Sequence, residues 1–179
     1  MEITQQELTE LNFYRASELY GGLVLGQVSR RVREPQLLLE LIRHSAEEVA
    51  HAELWTATIL AVGGTPRPTR DTYQSRYAVI VGRPAGLLQV LALTQVFERR
   101  VYRHFTEHLR RPGVHPLVQA TLRRMLEEEK GHLSWVKRWL HVQALARPEA
   151  VHDAMRRYTK ADRQVYESLM QDYGYRKAA

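Results

Sequence analysis

The sequence predicts an all-α fold: an antiparallel four-helix bundle with a long crossover between its second and third helices, followed by a C-terminal helix. Three observations carry this expectation. Apolar residues recur at three- and four-residue spacing through most of the 179 residues. Runs that alternate apolar and polar in the manner of strands are nearly absent. Proline and glycine then cut the periodic stretches into long segments separated by two short connections and one long one.

The first helix is expected from about Thr4 to Val32, and the second starts at Pro35, where proline suits the first helical turn. The run Gly63-Gly64-Thr65-Pro66-Arg67-Pro68 ends it. From there to Gly82-Arg83-Pro84 the chain is too long for a tight helix connection, and too rich in Tyr, Val and Ile for a solvated tail. It reads as a crossover packed along the bundle. A third helix spans about Pro84 to Arg111 and is broken by Pro112-Gly113; a fourth spans Pro116 to about Ala146. After Pro148, the residues Val151, Met155, Tyr158, Asp162, Val165, Leu169 and Tyr173 keep one face mostly apolar. The expected organisation is thus a bundle over residues 1–146 and a C-terminal helix over 147–179, packed on the bundle or on a partner subunit.

Composition narrows the chemistry. With 44% hydrophobic and 26% charged residues the chain has the make-up of an ordinary globular domain. It contains no cysteine, which excludes disulfides, thiolate catalysis, iron–sulfur clusters and zinc ribbons. Any metal must therefore sit on His and carboxylate. No apolar run is long enough to span a bilayer, and Met1-Glu2-Ile3-Thr4-Gln5-Gln6 has neither the basic nor the apolar part of a secretory leader, so a cytoplasmic location and no membrane partner are expected. The formal net charge of +6 comes almost entirely from Arg. Arg99, Arg100, Arg103, Arg110, Arg111, Arg123 and Arg124 make the second hairpin basic on what reads as its outer faces. Such a surface is ordinarily solvated, and it also permits a phosphate-bearing or nucleic-acid partner.

Glu-x-x-His puts two side chains on one helix face a turn apart, where both reach one metal. The pattern occurs at Glu48–His51 and at Glu129–His132. Random placement of the glutamates and eight histidines gives roughly 0.7 such pairs, so placement rather than occurrence is the argument. Glu18 in the first helix and Glu98 in the third lie within apolar stripes, Leu11-Tyr14-Glu18-Gly22-Leu25 and Leu91-Thr94-Glu98-Tyr102-Phe105. From Glu18 to Val32 is fourteen residues and from Pro35 to Glu48 thirteen; from Glu98 to Arg111 and from Pro116 to Glu129 is thirteen each. At about 1.5 Å per residue each helix pair travels about 20 Å and returns level. Four carboxylates and two imidazoles at one layer require cations, because buried like charges cost several kcal/mol each. Superposing the two motifs sets Glu47 opposite Glu128, and leaves Trp55 and Trp135 just C-terminal to each histidine, as in a pseudo-twofold bundle. Glu47, Glu53, Glu127 and Glu128 themselves read as solvated.

With these residues the chain resembles the ferritin-like di-iron carboxylate superfamily, over about residues 4–146. The resemblance implies Glu18 and Glu98 as terminal ligands, Glu48 and Glu129 as bridging carboxylates, and His51 and His132 as one nitrogen ligand per metal. It implies two iron ions, with manganese or a mixed iron–manganese pair compatible with the donors. Bacterioferritins carry a haem-ligating methionine between the second helix's Glu and His; Val49 and Ala50 stand there, so haem is not expected. Rubrerythrins add a third-helix glutamate where this chain has Val101. The gap of fifty residues from Glu48 to Glu98, with Tyr73-Gln74-Ser75-Arg76-Tyr77-Ala78 in the crossover, is more similar to the tRNA-hydroxylase branch.

The expected function is a non-haem di-iron oxidoreductase that activates dioxygen or peroxide, as an oxygenase or hydroxylase of an organic or tRNA substrate, with an electron donor the sequence does not name. The alternatives are a ferroxidase that stores iron and a helical interaction module without catalysis; a homodimer through the tail is compatible with either. Tyr14 and Tyr102, four residues from Glu18 and Glu98, serve the ligands or are core tyrosines; His44, a turn before Glu48, is an outer partner of the ligands or a structural histidine. Gly21, Gly22 and Gly26 make room for a cavity beside the metals or for close helix packing.

Overall fold

The computed structural model describes residues 2–173, which form six helices and no strand. α1 is Gln5–Ser29, α2 Pro35–Ala61, α3 Tyr73–Val81, α4 Leu87–Leu109, α5 Pro116–Ala146 and α6 Pro148–Tyr173. Of the C-terminal segment expected over 147–179, residues 174–179 lie outside the described residues.

Local signals set most boundaries. Thr4 caps α1 by accepting from Glu7 N at 3.1 Å. Glu34 caps α2 ahead of Pro35, its carboxylate accepting from the backbone N–H of Gln36 and Leu37. Gly63 and Gly113, with φ of +79° and +77°, follow α2 and α4 in the left-handed region that glycine enters without a Cβ clash. α1 stops three residues before the expected Val32, because the N–H groups of Arg31 and Val32 turn back to the carbonyls of Val28 and Ser29, tightening the last turn. α4 begins at Leu87 rather than Pro84, since Gly86 is extended.

The crossover, expected to pack along the bundle, holds a helix of its own. α3 is nucleated by a reciprocal cap in which Thr72 Oγ1 accepts from Ser75 N and Ser75 Oγ accepts from Thr72 N, both at 3.0 Å.

α1 packs along α2, α4 along α5, and α2 against α5; α3 lies on α1 and α6. α6 packs on α3, α4 and α5. Asp162 fastens it there, accepting from Tyr77 Oη at 2.6 Å and from Arg100 Nε and Nη2 at 2.9 and 2.5 Å. Arg100 is therefore buried and paired, and Arg111 is paired with Glu10, which corrects their assignment to an outer basic face. The core between these helices includes Leu11, Leu41, Trp55, Phe105, Leu122 and Met125, each fully buried.

Candidate metal centre

Six acidic and imidazole side chains from four helices end in one buried layer: Glu18 of α1, Glu48 and His51 of α2, Glu98 of α4, Glu129 and His132 of α5, none more than 2% exposed. His44 joins them from the turn before Glu48. Two groups have their ligand atoms within 4.8 Å of one another: His44, Glu48, Glu98 and His132; and Glu48, His51, Glu129 and His132. Either group has the composition of a metal site. Glu18 belongs to neither, and its carboxylate lies beside the second, 3.8 Å from His51 Nδ1.

Glu48 and His132 are common to the two groups. His132 Nδ1 is 3.2 Å from Glu48 and 3.1 Å from Glu129, and His51 Nδ1 is 3.4 Å from Glu129. The outer nitrogens are held by the residues that precede the motif carboxylates. His51 Nε2 meets Glu128 at 2.9 Å, and His132 Nε2 meets Glu47 at 2.9 Å. Each helix thus orients the other's imidazole. Glu47 and Glu128 were expected to be solvated, and both are half-exposed, yet each has one oxygen on a buried ring. The internal repeat that sets Glu47 opposite Glu128 was the available signal for these partners.

Trp135 fixes His44. Its indole N–H donates to His44 Nδ1 at 3.2 Å, so a neutral His44 carries its proton on Nε2 and donates it to Glu48 Oε1 at 3.1 Å. Burial lowers the pKa of His44, in keeping with the neutral ring. A nitrogen bearing a proton is a donor to a carboxylate, not a ligand.

The charges in this layer are compensated by protons. Burial pushes His51 down, but the carboxylates of Glu129 and Glu18 outweigh it and raise the ring to about 11. Burial is likewise outweighed for His132, which Glu129 and Glu48 raise. Glu48 is brought down to about 2 against its burial by His132 and His44, and Glu129 is lowered by His132 and His51. Glu18 and Glu98 go the other way: burial and the neighbouring carboxylates raise both and keep their protons on. Even so, Glu48 Oε2, Glu98 Oε1, Glu129 Oε1 and His51 Nδ1 are buried without any hydrogen bond. Unsatisfied buried polar atoms of this kind cost roughly 1–3 kcal/mol each, and a cation that displaces the protons of His51 and Glu98 removes the cost. The residues present therefore fit a bound metal, and nitrogen–oxygen donor sets of this type suit iron, manganese or zinc.

Gly21 and Gly22 pack α1 against this layer. A Cβ on Gly21 would stand 2.7 Å from Glu48 Oε2, and one on Gly22 would meet Val49 and the Ser45 carbonyl at 2.8 and 2.9 Å. Gly22 serves close helix packing, whereas Gly21 keeps the Glu48 carboxylate in place and also lines a cavity. That cavity, about 790 Å³, lies between α1, α3 and the start of α4, and reaches Glu48 and Glu98.

The two tyrosines are placed differently from each other. Tyr14 directs its hydroxyl to Glu10, in a second buried cluster. There Glu10 also accepts from His104 Nε2 at 3.0 Å and from Arg111 at 2.6 and 2.9 Å, while Tyr73 donates to His104 Nδ1. Tyr102 is half-buried, and its side chain makes no hydrogen bond among the described residues. A third Glu-x-x-His, Glu149–His152, went unread in the sequence; both residues are exposed at the start of α6, away from the buried layer.

No helix of the described residues is long and apolar enough to cross a membrane. Comparison with protein-family models, with curated proteins and with solved structures finds no match to this chain.

Proposed function

We propose that the chain is a ferritin-like di-iron carboxylate oxidoreductase, a four-helix bundle of α1, α2, α4 and α5 that activates dioxygen or peroxide at its centre. The observation that carries the reading is the set of four buried donor atoms left without hydrogen bonds, converging from α2, α4 and α5. The two short-loop helix pairs joined through α3 support the bundle assignment.

In this reading Glu18, Glu48, Glu98 and Glu129 would hold the metals through their carboxylates, and His51 and His132 through Nδ1. A ferrous pair held there would supply the electrons for reducing dioxygen. The chain's own part is to orient and to deprotonate. Glu128 and Glu47 hold the Nε2–H of His51 and His132, leaving Nδ1 as the inward atom. His44 donates to Glu48 Oε1, so Oε2 is the oxygen left to bind. Glu18, Glu98, His51 and His132 must each release a proton as metal enters.

The test is metal analysis with absorption spectra during anaerobic iron loading and then exposure to oxygen. Two irons per chain with oxygen-dependent oxidation are expected, and Glu48→Ala and Glu129→Ala should lose both. Absence of iron binding, or binding unchanged in both variants, overturns the proposal. The cavity beside Glu48 and Glu98 favours an organic molecule over stored iron as the substrate. Light scattering separates these: a small oligomer fits the former and a many-subunit shell the latter.

A further inference from the structure

The cavity that meets the ligand layer has walls and a mouth of different chemistry. Its body runs along apolar side chains of α1 and α4, among them Val28, Leu93 and Phe97. Glu48 and Glu98 line its inner end. Arg31 and Arg33, in the turn after α1, and Arg83, in the loop between α3 and α4, also line it. Arg31 lies thirteen residues beyond Glu18, and Leu87, just past Arg83, lies eleven before Glu98. At about 1.5 Å per residue, the arginines therefore stand about 15–20 Å along the helix axes from the ligand layer.

The three arginines are exposed, and none is ion-paired among the described residues. The one carboxylate beside them, Glu34, is engaged by the N–H groups of Gln36 and Leu37 at the start of α2. The mouth is thus positive and the body apolar. A volume near 790 Å³ is that of a site for a molecule of drug size. Part-way in, Gln74 donates its amide to the Ser17 carbonyl and leaves Oε1 buried with no partner.

Resting on the metal-centre reading above, we infer that the substrate class is an amphipathic organic anion: an apolar chain lying in the cavity with a carboxylate or phosphate at Arg31, Arg33 and Arg83. Guanidinium groups pair with such heads through two parallel hydrogen bonds, and the net positive mouth draws them in. The geometry sets the apolar end, not the charged head, next to Glu48 and Glu98.

Titration of the metal-free chain with dodecanoate and dodecyl phosphate, below micelle formation, tests this by calorimetry. Dodecanol and dodecyltrimethylammonium are the neutral and cationic controls. One anion per chain is expected, with the cation binding at least tenfold more weakly. Combined Arg31→Ala, Arg33→Ala and Arg83→Ala should weaken both anions at least tenfold and leave dodecanol unchanged. Val28→Trp, which fills the cavity, should block all the chains without lowering the thermal midpoint. Equal binding of cation and anion, or unchanged binding in the triple variant, overturns the inference. So does arginine-dependent capture of a structured RNA such as tRNA when neither anion binds. Metal content measured on the same samples keeps the two readings apart. Two metals without anion binding removes only the substrate class, and anion binding without metal removes only the metal centre.

Discussion

Glu47 of α2 accepts the Nε2–H of His132 on α5 at 2.9 Å, and the reciprocal contact joins Glu128 of α5 to His51 of α2 at the same distance. Both carboxylates are half-exposed and outside the buried layer, so they would act on a bound metal only through the rings they orient. Glu47→Gln and Glu128→Gln are each expected to weaken metal binding about 10- to 100-fold, the usual cost of losing an outer partner of a ligating histidine. Folding stability should change little, because neither pair is deeply buried at the carboxylate. Competition against a chromophoric chelator, beside urea unfolding, measures both.

Trp135 decides which nitrogen of His44 carries the proton. Trp135→Phe leaves His44 Nδ1 buried without a donor and should cost about 1–3 kcal/mol in urea unfolding. It also frees the ring to take the other tautomer, with Nε2 open to metal. Metal-loaded Trp135→Phe is therefore expected to show one more nitrogen in its first coordination sphere by X-ray absorption than the parent chain.

The pH dependence of the metal-free chain follows from His51 and His104. His51 is raised from 6.5 to about 11, so the stability it contributes is full below pH 6.5 and is lost as pH rises toward 11. Metal at Nδ1 replaces that proton, and the alkaline loss should disappear on loading. His104 is lowered to about 4, chiefly by burial, so the unfolded chain alone takes up a proton between pH 6.5 and 4. The His104 contribution falls by roughly 3 kcal/mol across that window, at about 1.4 kcal/mol per unit, and is read on the metal-loaded chain, because without metal the protons held by Glu18 and Glu98 act in the opposite sense. Unfolding curves at stepped pH, with and without chelator, check both limbs. Metal loading in buffers of differing ionisation enthalpy counts the protons released.

Glu10 is 1% exposed and gathers Tyr14, His104 and Arg111. Burial alone pushes its carboxyl up, and the hydrogen bonds from His104 and Arg111 reverse this and hold it ionised. Glu10→Ala strips buried donors of their acceptor and is expected to cost roughly 3–5 kcal/mol, the range for removing one partner of a buried pair. The eight residues separating Glu10 from Glu18 put it about 12 Å below the ligand layer. The metal ratio of the refolded variant should therefore stay that of the parent, which separates a structural cluster from part of the centre.

Long helices and the faces that meet in the buried layer were legible because period and punctuation speak directly. Pro35, Pro116 and Pro148 open their helices, and Glu48, His51, Glu129 and His132 sit at spacings that leave no other common face. α3 was not legible: its cap uses Ser75 where Glu or Gln usually stands, and nine residues give too short a period to read. Arg100 was misassigned because its partner, Asp162, lies sixty-two residues away, and only tertiary packing joins them. The Glu10 cluster escaped for the same reason, its members coming from α1, α4 and the segments that follow. Glu47 and Glu128 carried a signal in the repeat that charge alone hid.

The exchange of carboxylates between α2 and α5 has a bearing on how the chain could be divided. Each helix pair owns a motif, but the clasp on its imidazole belongs to the other pair. A polypeptide severed at Gly82, between α3 and α4, would yield two pieces that each carry donor atoms in rings with nothing to aim them. Competence would return only on mixing, so the two halves work as a lock shared between them rather than as duplicate copies of one tool.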